Sequence, residues 1–185
     1  MITGQYKNDL GEYKRFSAYH LFVARGIRSY LYPIALFVFG VVLASAGIAV
    51  SNGSLVFGGA ILLAVGLALP AITLALQNAK VEKSVRANPN FLRTHQYFTF
   101  TGEGIRLTIK VQEQQEEYEI PYANVLRIFE RKDVFYIYIG RMQALIVPKS
   151  QLEGGTPDEL AQMFRALGKR FREMKKLRGR TLPQE

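Results

Sequence analysis

Between Arg28 and Lys80 the sequence contains no Asp, Glu, Lys or Arg, a run of 51 residues from Ser29 to Ala79. A membrane hydrocarbon core of about 30 Å takes about 20 helical residues at about 1.5 Å each. The run is therefore long enough for two crossings and a connection, and too short for three. Ser51-Asn52-Gly53-Ser54 supplies the break, because these residues tolerate left-handed backbone and bond their own main chain. The spans are placed near 30–50 and 55–76. Pro33 falls in the first turn of the first helix, where its missing N–H does no harm, while Pro70 lies deep enough in the second to bend it.

Ala44-Ser45-Ala46 imitates a signal-peptidase site, but the segment before it is long for such a leader and a second full span follows at once. Small residues on the spans mark where helices can approach. Gly40 and Ala44 form one such pair, and Ala60, Ala64 and Ala68 form a row on the second helix, expected to pack within the hairpin rather than between copies. Cations lie on both flanks and the connecting turn carries none. The positive-inside rule then puts both termini on the cytoplasmic side of the cell (inner) membrane, with Arg25, Arg28, Lys80, Lys83 and Arg86 near lipid head groups.

Ahead of the hairpin, residues 1–28 form an arm. Asp9-Leu10-Gly11-Glu12 has the spacing of a capping box, so a helix is expected from Leu10, with Tyr13, Phe16, Tyr19, Phe22, Val23, Ile27 and Tyr30 along one side. Such a basic, aromatic stripe suits either the membrane interface or the face of a cytosolic domain. Ile2 to Tyr6 is too short to assign alone and is placed to add an edge strand to the sheet that follows.

Beyond the hairpin (29–79) and a linker (80–94), the period changes to two and a cytoplasmic domain is expected over 95–180. Phe98 and Phe100 alternate with Tyr97, Thr99 and Thr101; Gly102-Glu103-Gly104 turns the chain; Ile105, Leu107, Ile109 and Val111 then share one face. Further strands are expected near 117–121, 125–130, 134–139 and 143–147, making a curved antiparallel sheet of about six. Thr156-Pro157-Asp158-Glu159 opens a helix with a cap, a proline in the first turn and a reciprocal carboxylate. Leu160, Met163, Phe164, Leu167, Phe171, Met174 and Leu177 extend its stripe, so a long C-terminal amphipathic helix is expected to close the sheet. The fold class is a membrane α-helical hairpin plus an α+β domain on a pleckstrin-homology-like plan.

Several segments together carry a family resemblance. Asn88-Pro89, Phe98-Thr-Phe-Thr-Gly-Glu-Gly-Ile105, Glu119-Ile-Pro-Tyr122, Glu130-Arg-Lys-Asp133, Tyr136-Ile-Tyr138 and Ala144-Leu-Ile-Val-Pro-Lys149 resemble, in order and spacing, the YcxB-like family of bacterial membrane proteins. The likeness covers Lys80 to about Phe171. Tyr122 stands where that family often has Trp. The resemblance implies a two-span anchor with a cytoplasmic pleckstrin-homology-like module, and it brings no catalytic residues.

The chain has no cysteine and two histidines, which removes disulfides, thiolate chemistry and most metal sites. Glu113, Glu116, Glu117 and Glu119 sit by a hairpin tip without a His or Asp companion and read as a solvated acidic loop, so no catalytic residue, cofactor or metal is assigned. The net charge of +9 first points to nucleic acid. Its distribution does not: residues 1–80 carry +4, 81–164 carry −1 and 165–185 carry +6. The excess borders the membrane and fills the C-terminal helix, where Lys169, Arg172, Lys175 and Lys176 are further head-group candidates. The expected function is a non-enzymatic membrane protein whose module binds a protein, a peptide or anionic lipid. A structural or regulatory subunit, or a homo-oligomer, is the alternative.

Overall fold

The computed structural model describes residues 1–24 and 30–173. The chain forms two compact units, one made of Asp9–Pro89 and the other of Met1–Asn8 together with the chain from Asn90 onward.

In the helical unit, α1 (Leu10–Tyr19) starts where the Asp9 carboxylate accepts the Glu12 N–H at 2.9 Å. The expected helix to Tyr30 is not continuous. After Tyr19 the chain takes a π-helical turn, His20–Ala24, whose larger number of residues per turn takes the side chains out of the α-helical stripe. Arg25 and Arg28 lie outside the described residues. The hairpin consists of α2 (Leu31–Ala49) and α3 (Gly53–Ala87). Between them Ser51 takes φ +52, and the Asn52 side chain accepts the N–H groups of Ser54 and Leu55 at 3.1 and 3.3 Å, capping α3.

Four glycines make the α2–α3 contact. A Cβ added to Gly40 would lie 2.8 Å from the Leu63 nitrogen, and at Gly59 2.5 Å from that of Ala44. Gly47 and Gly66 meet Val56 and Phe37 in the same way. The spacing of seven on each helix keeps one seam facing the other along the pair. Gly40 and Ala44 thus lie at the contact, whereas Ala60, Ala64 and Ala68 are exposed. Each helical residue turns the side chain by about 100°, so a row beginning one residue past Gly59 looks away from α2.

At 35 residues, α3 is about 52 Å long and outruns its apolar part. Its polar end holds α1: Gln77 Nε2 donates to Ser17 Oγ at 2.9 Å, and Glu82 pairs with Lys14 at 3.2 Å and with Arg86 at 2.6 Å. Phe16, Val81 and Val85 are buried there. The stripe on α1 that suited a bilayer or a cytosolic domain is therefore applied to the end of α3.

The second unit contains two sheets rather than one. The first has the order β4-β3-β2-β1-β8, built from β1 (Ile2–Lys7), β2 (Thr94–Phe100), β3 (Gly104–Val111), β4 (Gln114–Pro121) and β8 (Leu152–Glu153), all antiparallel. The second has the order β7-β6-β5-β9, from β5 (Arg127–Glu130), β6 (Val134–Tyr138), β7 (Ala144–Pro148) and β9 (Phe171–Arg172). β1 is an interior strand between β2 and β8, not an edge. Ile2, Gly4 and Tyr6 face the core side beside Phe100, Phe98 and Gln96.

Helix α4 (Pro157–Arg165) has the expected capping box on Thr156 and Glu159, but it ends far short of Leu177. Gly168 at φ +62 turns the chain, a conformation that favours glycine, and Phe171 enters β9 parallel to β5. Phe164 of α4 ties the two sheets, its ring edge-on to Phe100 of β2 at 5.9 Å and to Phe135 of β6 at 5.6 Å. All three rings are almost wholly buried. Each such side chain contributes about 1.5–3 kcal/mol by burial, with a further increment from the edge-to-face geometry.

Candidate functional site

Two of the resemblance segments, residues 98–105 and 119–122, meet at one corner of the sheet unit. A cavity of about 520 Å³ is lined by the turn Thr101–Gly104, by Ile105 and Arg106 of β3, and by Glu119, Ile120 and Pro121 of β4. The Thr101 hydroxyl closes the turn, accepting the Gly104 N–H at 3.2 Å. Gly104 is required by proximity, since a Cβ there would sit 2.5 Å from the Ile120 carbonyl oxygen. The Arg106 guanidinium binds the Glu119 carboxylate at 3.1 Å on the outer face of the sheet.

Behind the cavity lies the turn Tyr122–Asn124. The Tyr122 hydroxyl donates to the Thr101 carbonyl and its N–H to that of Glu103, both at 3.1 Å, while the ring stands edge-on to Phe164. Burial raises the Tyr122 phenol to about 12. Arg170 closes the corner from the other side, donating to the Tyr122 and Ala123 carbonyls at 2.9 and 3.1 Å. These contacts form an aromatic and main-chain latch on the Thr101–Gly104 turn.

The other resemblance segments place one ion pair in the second sheet. Lys149 follows β7, and its ammonium reaches Glu130 at the end of β5 at 2.7 Å while lying 4.7 Å over the Phe135 ring. Glu130 is only 8% exposed, so the pair is held away from water.

The acidic residues are arranged as a strand rather than a loop. Gln112 at φ 57 makes the hairpin turn beside Glu113, and Glu116, Glu117 and Glu119 lie on β4, the outer strand of its sheet. Among the described residues, no three His, Cys, Asp or Glu side chains converge as a metal site requires.

The proposed head-group cations do not gather at one place. Lys80, Lys83 and Arg86 are exposed on the polar end of α3, with Arg86 tied to Glu82. Lys169 and Arg172 are exposed in the turn and strand after α4, not on a helix, while Lys175 and Lys176 lie outside the described residues. Two neighbouring cations are used inside the fold, Arg170 as above and Arg165 in a pair with Glu173. The seam also uses Gly47, Gly59 and Gly66, which the small-residue rows do not include, although Gly40 and Gly47, and Gly59 and Gly66, are each seven residues apart.

Residues 100–167 match the family described as YcxB-like protein. No curated protein and no solved structure matches the chain.

Proposed function

We propose that this YcxB-like domain is carried on a two-span membrane anchor and serves as a non-enzymatic binding module beside the bilayer. The observation that carries this reading is the exterior of the hairpin. α2 and α3 are long and apolar enough to span a membrane, yet only 11% of each apolar window is buried in the protein. A soluble core helix would have its apolar surface covered. Here the glycine seam satisfies the helix–helix contact, and side chains such as Phe39, Val42, Phe57 and Leu67 face outward.

Pairing of β1 with β2 supports an even number of crossings. A sheet that joins residues before and after the hairpin requires both on one side of the bilayer, and the basic flanks favour the cytoplasmic side. The pleckstrin-homology-like plan belongs to the same reading, supported by antiparallel strands, the bridging Phe164 and a capping helix. Its partners are membrane lipids and a protein or peptide ligand.

Membrane fractions washed at alkaline pH test the anchor, which predicts that the chain stays in the pellet. Alkaline phosphatase inserted after Asn52 is expected to be active and the same enzyme fused at the C-terminus silent; the reverse pattern overturns the topology. The exposed row Ala60, Ala64 and Ala68 favours a second reading as a homo-oligomer or subunit of a membrane complex. Crosslinking abolished by Ala64→Leu would support it.

A further inference from the structure

We propose that the free edge of β4 accepts an additional strand from a partner protein, an extended segment in which basic and apolar side chains alternate. This deepens the binding-module reading by naming the partner's chemistry.

β4 is eight residues long, pairs in unbroken register with β3, and has no neighbour on its other side among the described residues. Every residue of it except Ile120 is exposed. Protected edges are usually short, bulged, interrupted by proline or studded with lysine. β4 has no bulge, its one proline is its last residue, and its charges are three glutamates rather than lysines, which repel an acidic strand but not a basic one. Its two faces differ. Tyr118, opposite Leu107, lies on the core face and is 46% exposed, with Ile120 next along that face and Glu116, which accepts the Tyr118 hydroxyl, before it. Glu117 and Glu119 lie on the outer face opposite Thr108 and Arg106, with Glu119 sharing its carboxylate with Arg106 and Glu117 facing no cation on β3.

An incoming strand would therefore set apolar side chains beside Tyr118 and Ile120 and cations beside Glu117 and Glu119. The same carboxylates oppose pairing with β4 of a second copy, which would bring two rows of like charge together. They also disfavour an anionic lipid surface.

The test uses the full chain in detergent and dye-labelled peptides as long as β4. One alternates Lys and Val, one alternates Glu and Val, and one is the Lys/Val peptide with alternate backbone amides methylated. Anisotropy is expected to show the Lys/Val peptide binding at least about ten-fold tighter than either control, as two cross-strand charge pairs and a hydrogen-bonded ladder allow. Hydrogen exchange is expected to slow within residues 114–121. Glu117→Lys with Glu119→Lys should reverse the preference between the charged peptides. Equal binding of the methylated peptide, or protection elsewhere in the chain, overturns the proposal. The methylated control needs no variant, so a double variant that fails to fold leaves the test standing. Failure of peptide binding leaves the anchor untouched, since fractionation reads the anchor separately.

Discussion

At the scale of single residues, Glu130 and Lys149 show how a chain with a sparse charge supply uses two charges in its interior. The carboxylate and ammonium are 2.7 Å apart and both are largely removed from water. Removing one partner strands the other, a loss typically of about 3–5 kcal/mol, whereas replacing both by apolar groups of similar size restores much of it. Lys149→Met is thus expected to lower the stability of the sheet unit more than Glu130→Leu with Lys149→Met, as read by pulse proteolysis in denaturant. Tyr122 gives a pH signature. Its folded phenol ionises near 12 against an ordinary value of 10, so the folded state holds the proton more tightly. The associated stabilisation is complete below pH 10 and is lost as pH rises from 10 to 12. Tyr122→Phe should remove that alkaline phase, measured by ultraviolet titration alongside unfolding.

At the scale of elements, the hairpin depends on positions where no side chain fits. Gly59→Leu would drive a branched side chain into the Ala44 backbone, and overpacking of this kind costs about 1–3 kcal/mol or more. Ala60→Leu, one residue on but exposed, is expected to leave the hairpin intact. Thermal unfolding of the two variants in detergent, followed by circular dichroism, distinguishes a seam on Gly59 from one on the alanine row. The hairpin itself was legible from sequence because absence of charge over 51 residues is a one-dimensional signal, and so was the Ser51–Ser54 turn. The hairpin of β2 and β3 was equally plain from its alternation. α4 was misjudged at its end because Leu167 and Phe171 continue a helical spacing across Gly168, and hydrophobic periodicity does not register a backbone reversal. The division into two sheets was hidden for a related reason: strand alternation reveals which side chains share a face, not which strands share a ladder. The cavity at Thr101–Gly104 is not legible in the sequence because its walls, the β2–β3 turn and the end of β4, meet only through strand pairing.

At the scale of the whole molecule, the chain's first strand belongs with its last hundred residues. Deleting residues 2–7 is expected to expose Phe98 and Phe100 along one side of β2 and make residues 90–173 sensitive to protease, although the cut lies before the helical hairpin. A fragment beginning at Asn90 should show the same sensitivity, and adding a peptide with the β1 sequence should reverse it. The charge balance cuts across that division, with residues 1–8 and 90–185 together carrying +5 and residues 9–89 carrying +4. Residues 81–164 carry −1 although the chain carries +9.

The placement of β1 also sets an order of events during synthesis. Ile2 pairs with Phe100, so at about 5–20 residues per second the strand waits roughly 5–20 s for its neighbour to be made. In that interval the 51 uncharged residues leave the ribosome, and on the proposed anchor they would have to find the bilayer. A nascent chain whose hairpin failed to insert would then hold β1 and β2 at the ends of a long, adhesive loop. On the proposed two-span anchor, insertion would thus gate the sheet: only a hairpin that crosses twice returns the chain to the side where β1 is waiting, and closure of the five-stranded ladder would report that the anchor is in place.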